Sequence, residues 1–171
     1  MTAETALISL PSEPERALEL AGRVANAHAA AALFTDYRSR RAPNTLRRQD
    51  NALALFARYL AAASIPQSPT AAALSAEPAA WRGVTWGLVA GFARWLLGQG
   101  YAIGTVNGAL STVKVYARLA MQAGSLDRAE YVALRAVQGY GHTEGKRVDE
   151  AMAVHEDFLT LMQGKGGEVR A

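Results

Sequence analysis

The side chains that could perform acid–base or covalent chemistry are scattered along this 171-residue chain. The three histidines, His28, His142 and His155, are far apart in sequence, and a solvated or packed role is favoured for each. Glu156 and Asp157 are neighbours, so on a helix they would point about 100° apart, which argues against shared metal coordination. No cysteine is present to act as a nucleophile or a thiolate ligand. We therefore predict no enzymatic activity, no bound metal and no cofactor for this chain.

Two glycine-rich stretches could be compared with phosphate-binding loops. Residues 139–141 and 164–167 lack the spacing of a P-loop and its final serine or threonine, and neither follows a predicted strand. A small-molecule substrate is accordingly not expected.

A polar stripe without any acid runs along a helix predicted in the middle of the chain. Its members recur every three or four residues: Asn107, Ser111, Lys114 and Arg118. A solvated helix face is the simplest explanation, but such faces usually mix glutamate with lysine. Short hydrogen-bonding side chains allow a close approach to base edges, and cations neutralise phosphates. The stripe therefore favours contact with duplex DNA over a merely solvated face.

The charge is distributed unevenly around a modest net charge of +3. Residues 37–126 carry ten arginines and lysines against two acids, a net charge of +8, whereas residues 1–36 carry −3 and residues 127–171 carry −2. A basic block between acidic flanks is typical of a protein that binds a polyanion, although an incidentally basic surface would look the same.

The elements that must position these side chains are predicted to be helices. Alanine, leucine and arginine favour helix, and no convincing strand is present. Ser12 to Glu15 has the spacing of a capping box and should start a helix, which either continues or breaks near Asn26. Asn44 and Thr45 are of N-cap type and should start the next one. The further predictions are a loop or short turns over 64–80, helices over 86–97, 104–123, 125–137 and 148–162, and a linker over 138–147.

The three tryptophans could stack on bases or pack in the core. Trp86 and Trp95 lie beside leucines at helical spacing, so we predict both to be core residues, and we leave Trp81 open. The N-terminus does not have the pattern of a signal peptide, and the longest apolar stretch is too short to cross a bilayer. We therefore expect a soluble, cytoplasmic protein that does not contact a membrane.

Two segments together resemble a known family. The first is Pro43-Asn44-Thr45-Leu46-Arg47-Arg48, followed by Leu53, Phe56 and Leu60. The second is Tyr101-Ala102, then Thr105-Val106-Asn107, Leu110-Ser111, Lys114 and Tyr116. These residues resemble the N-terminal core-binding, SAM-like domain of tyrosine recombinases, the phage integrases. Two positions depart from the family pattern: Gln49 stands where an aromatic residue is common, and Gly108 where a larger or basic residue is common.

The resemblance implies an all-α fold, a compact bundle of four to five helices with an extra C-terminal helix after a linker. It implies an N-terminal extension over 1–25, a core-binding domain over 26–137, and a linker with the first helix of a truncated catalytic domain over 138–171. In the family, this bundle closes one side of a clamp on DNA with its second and fourth long helices in the major groove. The residues that would contact DNA are Asn44, Thr45, Arg47, Arg48, Asn51, Thr105, Asn107, Ser111, Lys114 and Arg118.

The family's catalytic groups lie in a separate C-terminal domain and include a histidine-x-x-arginine motif and a nucleophilic tyrosine. No histidine of this chain has an arginine three residues later. The resemblance thus implies a DNA-binding module of a site-specific recombinase, whose partners are duplex DNA and other protomers in a synaptic complex. A helical protein-interaction domain without DNA binding remains the alternative.

Overall fold

The computed structural model describes residues 12–141 and 160–161, and this part of the chain is helical without strands. Six α-helices follow one another: α1 (Glu13–Ser39), α2 (Pro43–Ala62), α3 (Ala71–Ala76), α4 (Trp86–Gly98), α5 (Ile103–Gln122) and α6 (Arg128–Arg135). A 3₁₀ turn, Pro78–Trp81, connects α3 to α4. The predicted all-α class is confirmed. The predicted 148–162 helix lies outside the described residues except at residues 160 and 161, which are helical.

Helix α1 is one continuous helix, so the chain does not break near Asn26. The predicted capping box is present, and the Ser12 amide donates a hydrogen bond to Glu15 Oε2 at 2.5 Å. Only the C-terminal part of α1 packs against the bundle, where Phe34 is buried. Every residue from 12 to 29 is exposed. The alanine-rich sequence has a high intrinsic helix propensity, which favours helix even where tertiary contacts are few.

Helix α2 begins earlier than its cap-type residues suggest. Ala42 is the N-cap and Pro43 the first helical residue, so Asn44 and Thr45 lie inside the first turn rather than at the cap. Proline suits this position because its fixed φ is helical and the amide that it lacks would have had no partner within the helix. The later helices α4 and α6 begin at side-chain caps, Thr85 and Asp127, so α6 starts at Arg128 rather than at the predicted residue 125.

The core is aromatic and lies where α2, α4 and α5 meet the 3₁₀ turn. Trp81 is fully buried, and its indole Nε1 donates to the Leu74 carbonyl oxygen at 2.9 Å. Its ring stacks on Phe56 and on Tyr116, with centroids 5.9 and 6.3 Å apart. The residue that the sequence left open is therefore a centre of the core.

The prediction for Trp86 is wrong, since this side chain is 53% exposed whereas Trp95 is buried. The two residues are nine positions apart on α4. At 3.6 residues per turn, nine positions place them about 180° apart around the helix, so only one of them can point into the core. None of the helices in residues 12–141 is both long and apolar enough to span a bilayer.

Candidate nucleic-acid interface

An open cleft of about 660 Å³ separates the N-terminal halves of α2 and α5. Four of the residues predicted to contact DNA line it together: Thr45, Arg48 and Asn51 from α2, and Thr105 from α5. The remaining lining residues are Gln49, Ala52, Leu55, Gly104, Gly108, Ala109 and Thr112. No acidic residue is among them. The tertiary structure thus joins two sets of residues that are about sixty positions apart in sequence.

The α5 side of the cleft is lined by small residues. A Cβ atom added at Gly104 or Gly108 would meet no other atom within 4 Å, so both positions face open space. Absence of a side chain at these positions lets a ligand approach the backbone of α5 closely. Gly108, which departs from the family pattern, therefore widens the cleft.

The two helices that form the cleft are also the two whose N-cap residue is an alanine, which has no side chain that could cap the helix. Their N-cap residues are Ala42 and Ala102, and neither helix has an acid in its first turn. The other four helices in the described part of the chain start with Ser12, Thr70, Thr85 or Asp127 as capping residues. An uncapped helix N-terminus keeps its partial positive charge and backbone donors available to an anion. Both helix dipoles therefore add to the charge of Arg48 at this cleft.

Two further predicted residues, Asn44 and Arg47, lie on the first turns of α2 outside the lining of the cleft. Both are exposed, and an Arg47 guanidinium nitrogen donates to Asn44 Oδ1 at 3.5 Å. Arg48, the next residue, is exposed as well, but neighbouring residues on a helix point about 100° apart, and only Arg48 of the two lines the cleft.

The polar stripe of α5 is divided between two roles. Ser111 and Arg118 are exposed. Asn107 and Lys114 are half-buried and bind the chain that follows α6: Asn107 bonds to the main chain of Tyr140, and Lys114 Nζ donates to the Val137 carbonyl oxygen. Burial, and secondly the positive charge of Arg135, lower the pKa of Lys114. The first four residues of the predicted linker, 138–141, thus run beside α5, and residues 142–147 lie outside the described part.

A polar network beneath the cleft was not predicted from the sequence. Gln49 is buried, and its Nε2 donates to the Tyr37 hydroxyl at 2.7 Å, while its Oε1 accepts from the Tyr116 hydroxyl at 3.4 Å. Arg38 donates to the Tyr116 hydroxyl at 2.9 Å and to both carboxylate oxygens of Asp50, at 2.7 and 3.1 Å. The network connects α1, α2 and α5 and so positions the two walls of the cleft.

The network also explains two features of the sequence. Gln49 occupies a position in the apolar series of α2, three residues after Leu46 and four before Leu53, and a polar residue in such a series is the signal that could have revealed it. Asp50, one of the two acids in the basic block, is paired with Arg38, and this bond raises the pKa of Arg38 above its ordinary value. The negative charge of Asp50 is therefore compensated by Arg38 and does not repel an anion at the cleft.

Groups suited to metal binding are not gathered in the described part of the chain. Residues 12–141 and 160–161 contain no group of three or more histidines, acids or cysteines that could hold a metal ion. His28 lies on the exposed half of α1. His142, His155, Glu156 and Asp157 lie outside the described residues.

Comparisons with protein families and with individual proteins add no neighbour to this description. No family model matches the chain, and neither a curated protein nor a solved structure matches it.

Proposed function

We propose that this chain binds duplex DNA through the cleft between α2 and α5. One observation carries the proposal: the cleft unites Thr45, Arg48, Asn51 and Thr105, four of the residues that the family resemblance implies for DNA contact, and no acid lines it. The two uncapped helix N-termini beside the cleft support an anionic ligand.

The exposed side chains of α2 and α5 that the sequence nominates for DNA contact divide into two chemical classes. Arg47, Arg48 and Arg118 are exposed cations that suit phosphates. Asn51, Thr105 and Ser111 are exposed, short and uncharged, and they suit base edges or sugar oxygens. Of these six residues, Arg48, Asn51 and Thr105 line the cleft, whereas Arg47, Ser111 and Arg118 lie outside its lining.

The resemblance to tyrosine recombinases extends this proposal. It supports a role as the core-binding module of a site-specific recombinase, which holds one side of the DNA at the recombination site while the catalytic groups reside elsewhere. On this proposal the chain's other partners are further recombinase protomers in a synaptic complex.

Duplex titration at several salt concentrations tests DNA binding directly. A labelled random-sequence duplex should bind with an affinity that falls steeply with salt, because each phosphate contact releases counterions. The Arg47→Ala, Arg48→Ala double variant should lower the salt slope by about 1.8, since each lost contact contributes about 0.9.

The matched control is the Arg82→Ala, Arg128→Ala double variant, which removes the same charge at two exposed arginines outside the cleft. Its slope should stay close to that of the parent. If the salt slope falls equally in both double variants, binding depends on general charge attraction, and the cleft is not the DNA-binding site.

A protein-interaction domain without DNA binding is the second candidate. It is favoured by apolar side chains on the projecting half of α1, where Leu18, Leu20 and Val24 are 75%, 56% and 62% exposed. The same titration separates the two candidates, because this alternative predicts no salt-dependent binding of duplex.

A further inference from the structure

The segment that follows α6 is fastened to α5 by side chains rather than left free. Asn107 Nδ2 donates to the Tyr140 carbonyl oxygen at 2.9 Å, and Asn107 Oδ1 accepts from the Tyr140 amide at 2.9 Å. A side-chain amide here replaces the donor and acceptor that a neighbouring backbone would supply. Val137 and Tyr140 also pack against the hydrophobic core. Residues 137–140 are therefore attached by both polar and apolar contacts.

Gly139 is a requirement of this attachment. A Cβ atom at this position would lie 2.3 Å from Asn107 Oδ1 and 2.9 Å from Asn107 Cγ. Either the Asn107 side chain or the segment that contains Gly139 would have to move away, and either movement would disturb both hydrogen bonds to Tyr140. The glycine thus permits the close approach on which the attachment depends.

Lys114 makes the second polar attachment, at the C-terminal end of α6. Its ammonium group donates to the carbonyl oxygen of Val137, just beyond the C-cap residue Ala136. A cation just beyond the C-terminus of a helix interacts favourably with the negative end of the helix dipole. While this bond is made, Lys114 is withheld from any ligand beside Ser111 and Arg118, the exposed members of the same stripe.

We propose that Asn107, Lys114 and Gly139 form a latch that holds residues 137–140 against α5 and restrains DNA binding by occupying Lys114. Release of the segment gives Lys114 to a phosphate next to Arg118, on the face of α5 outside the cleft lining, so that a duplex bound at the cleft gains a further contact. The inference rests on the proposed DNA-binding function for its regulatory part, whereas the latch itself is a property of the chain without DNA. Attachment of residues 137–140 thus sets the direction in which the chain leaves α6 and, at the same time, weakens DNA binding.

Amide hydrogen exchange in the absence of DNA tests the latch. The Tyr140 amide should be protected in the parent and should exchange rapidly in Gly139→Ala and in Asn107→Ala. Gly98→Ala is the matched control, because it adds the same methyl group where no atom lies within 4 Å of the new Cβ. Rapid exchange of Tyr140 in the parent, or continued protection in both latch variants, would overturn the latch.

Duplex titration then tests the restraint. Gly139→Ala should bind random-sequence duplex more tightly than the parent, with a salt slope steeper by about 0.9, the value of one added phosphate contact. Adding Lys114→Ala to Gly139→Ala should remove this gain, and Gly98→Ala should behave like the parent.

The outcomes separate the two proposals. If the parent binds duplex but Gly139→Ala binds no more tightly, the restraint is refuted and the proposed function stands. If neither protein binds duplex, both the proposed function and the restraint fail, while the exchange of Tyr140 still decides whether the latch exists.

Discussion

The side-chain amide of Asn107 on α5 pairs with both main-chain polar groups of Tyr140, thirty-three residues away, through two hydrogen bonds of 2.9 Å each. The same asparagine had been predicted from its place in a polar stripe to face DNA. Its hydrogen-bonding groups are occupied within the protein, which changes the consequences expected for its replacement.

Replacement of Asn107 by alanine should destabilise the fold. Loss of the two hydrogen bonds to Tyr140 should lower the free energy of unfolding by about 1–2 kcal/mol, since one such bond contributes about 1 kcal/mol. Urea denaturation measures the change. Ser111→Ala, an exposed change on the same stripe, should stay within about 0.5 kcal/mol of the parent. Equal stabilities for the two variants would contradict a structural role for Asn107.

Tyr59→Phe should stabilise the protein. The Tyr59 side chain is fully buried, and its hydroxyl has no hydrogen-bond partner among the described residues. An unsatisfied buried hydroxyl costs about 1–3 kcal/mol, so its removal should raise the free energy of unfolding by about 1 kcal/mol or more. Tyr116→Phe makes the same chemical change where the hydroxyl bonds to Arg38 and Gln49, and it should lower stability instead. A loss of stability in Tyr59→Phe, measured by thermal unfolding, would refute the prediction.

Stability should decline in alkaline solution because of the buried tyrosines. Burial raises the pKa of Tyr59 and of Tyr116 above the ordinary value. The folded protein therefore keeps phenol protons that the unfolded chain releases above about pH 10, so the free energy of unfolding falls as the pH rises through this region. The limiting slope is about 1.4 kcal/mol per pH unit for each tyrosine.

The lowered pKa of Lys114 acts in the opposite direction, because there the unfolded chain retains the proton. This contribution is common to the parent and Tyr59→Phe and cancels when the two are compared. Tyr59→Phe should thus show a shallower alkaline decline in urea denaturation across pH 9 to 11, a range placed about the ordinary tyrosine pKa. If the free energy of unfolding declines equally steeply in the two proteins, burial does not raise the pKa of Tyr59.

Arg118→Ala should weaken binding to all duplex sequences alike. Its side chain is exposed on α5, so the change should leave stability nearly unaltered while lowering the salt slope by about 0.9. Arg82→Ala serves as a control of equal charge. If Arg118→Ala retains the slope of the parent, this part of α5 does not contact phosphates.

The chain by itself should neither cleave nor join DNA. No histidine is followed three residues later by an arginine, the motif that accompanies the nucleophilic tyrosine in the family that the chain resembles. Incubation with a nicked suicide substrate, followed by denaturing electrophoresis, should reveal no covalent protein–DNA adduct. An adduct through any tyrosine would contradict the expectation.

The helices could be predicted because their boundaries are encoded locally. Thr85 and Asp127 cap α4 and α6 through hydrogen bonds to amides only two or three residues away, and Gly124 ends α5 with a φ of 78° that favours glycine. The start of α2 was misplaced because two signals compete there: Asn44 and Thr45 have cap-type side chains, but Pro43 suits the first helical position better.

The side chains of the candidate site were predictable only as far as one helix determines them. A helical wheel identified the acid-poor stripe on α5, but it could not show which members of the stripe stay exposed. That depends on α6 and on residues 137–140, which pack against the same helix and take up Asn107 and Lys114. Likewise, the wheel could not show that Gln49 is buried between tyrosines from two other helices.

The sequence by itself determined the all-α class, the basic middle of the chain and the two helices that carry the candidate DNA contacts. These properties follow from composition and from hydrogen bonds between near neighbours. Only the tertiary structure decided that Thr45, Arg48, Asn51 and Thr105 share one cleft, and that Trp81 rather than Trp86 fills the core. These two outcomes depend on which helix faces pack together. Burial and long-range hydrogen bonds join residues that are far apart in sequence, so local residue spacing does not predict them.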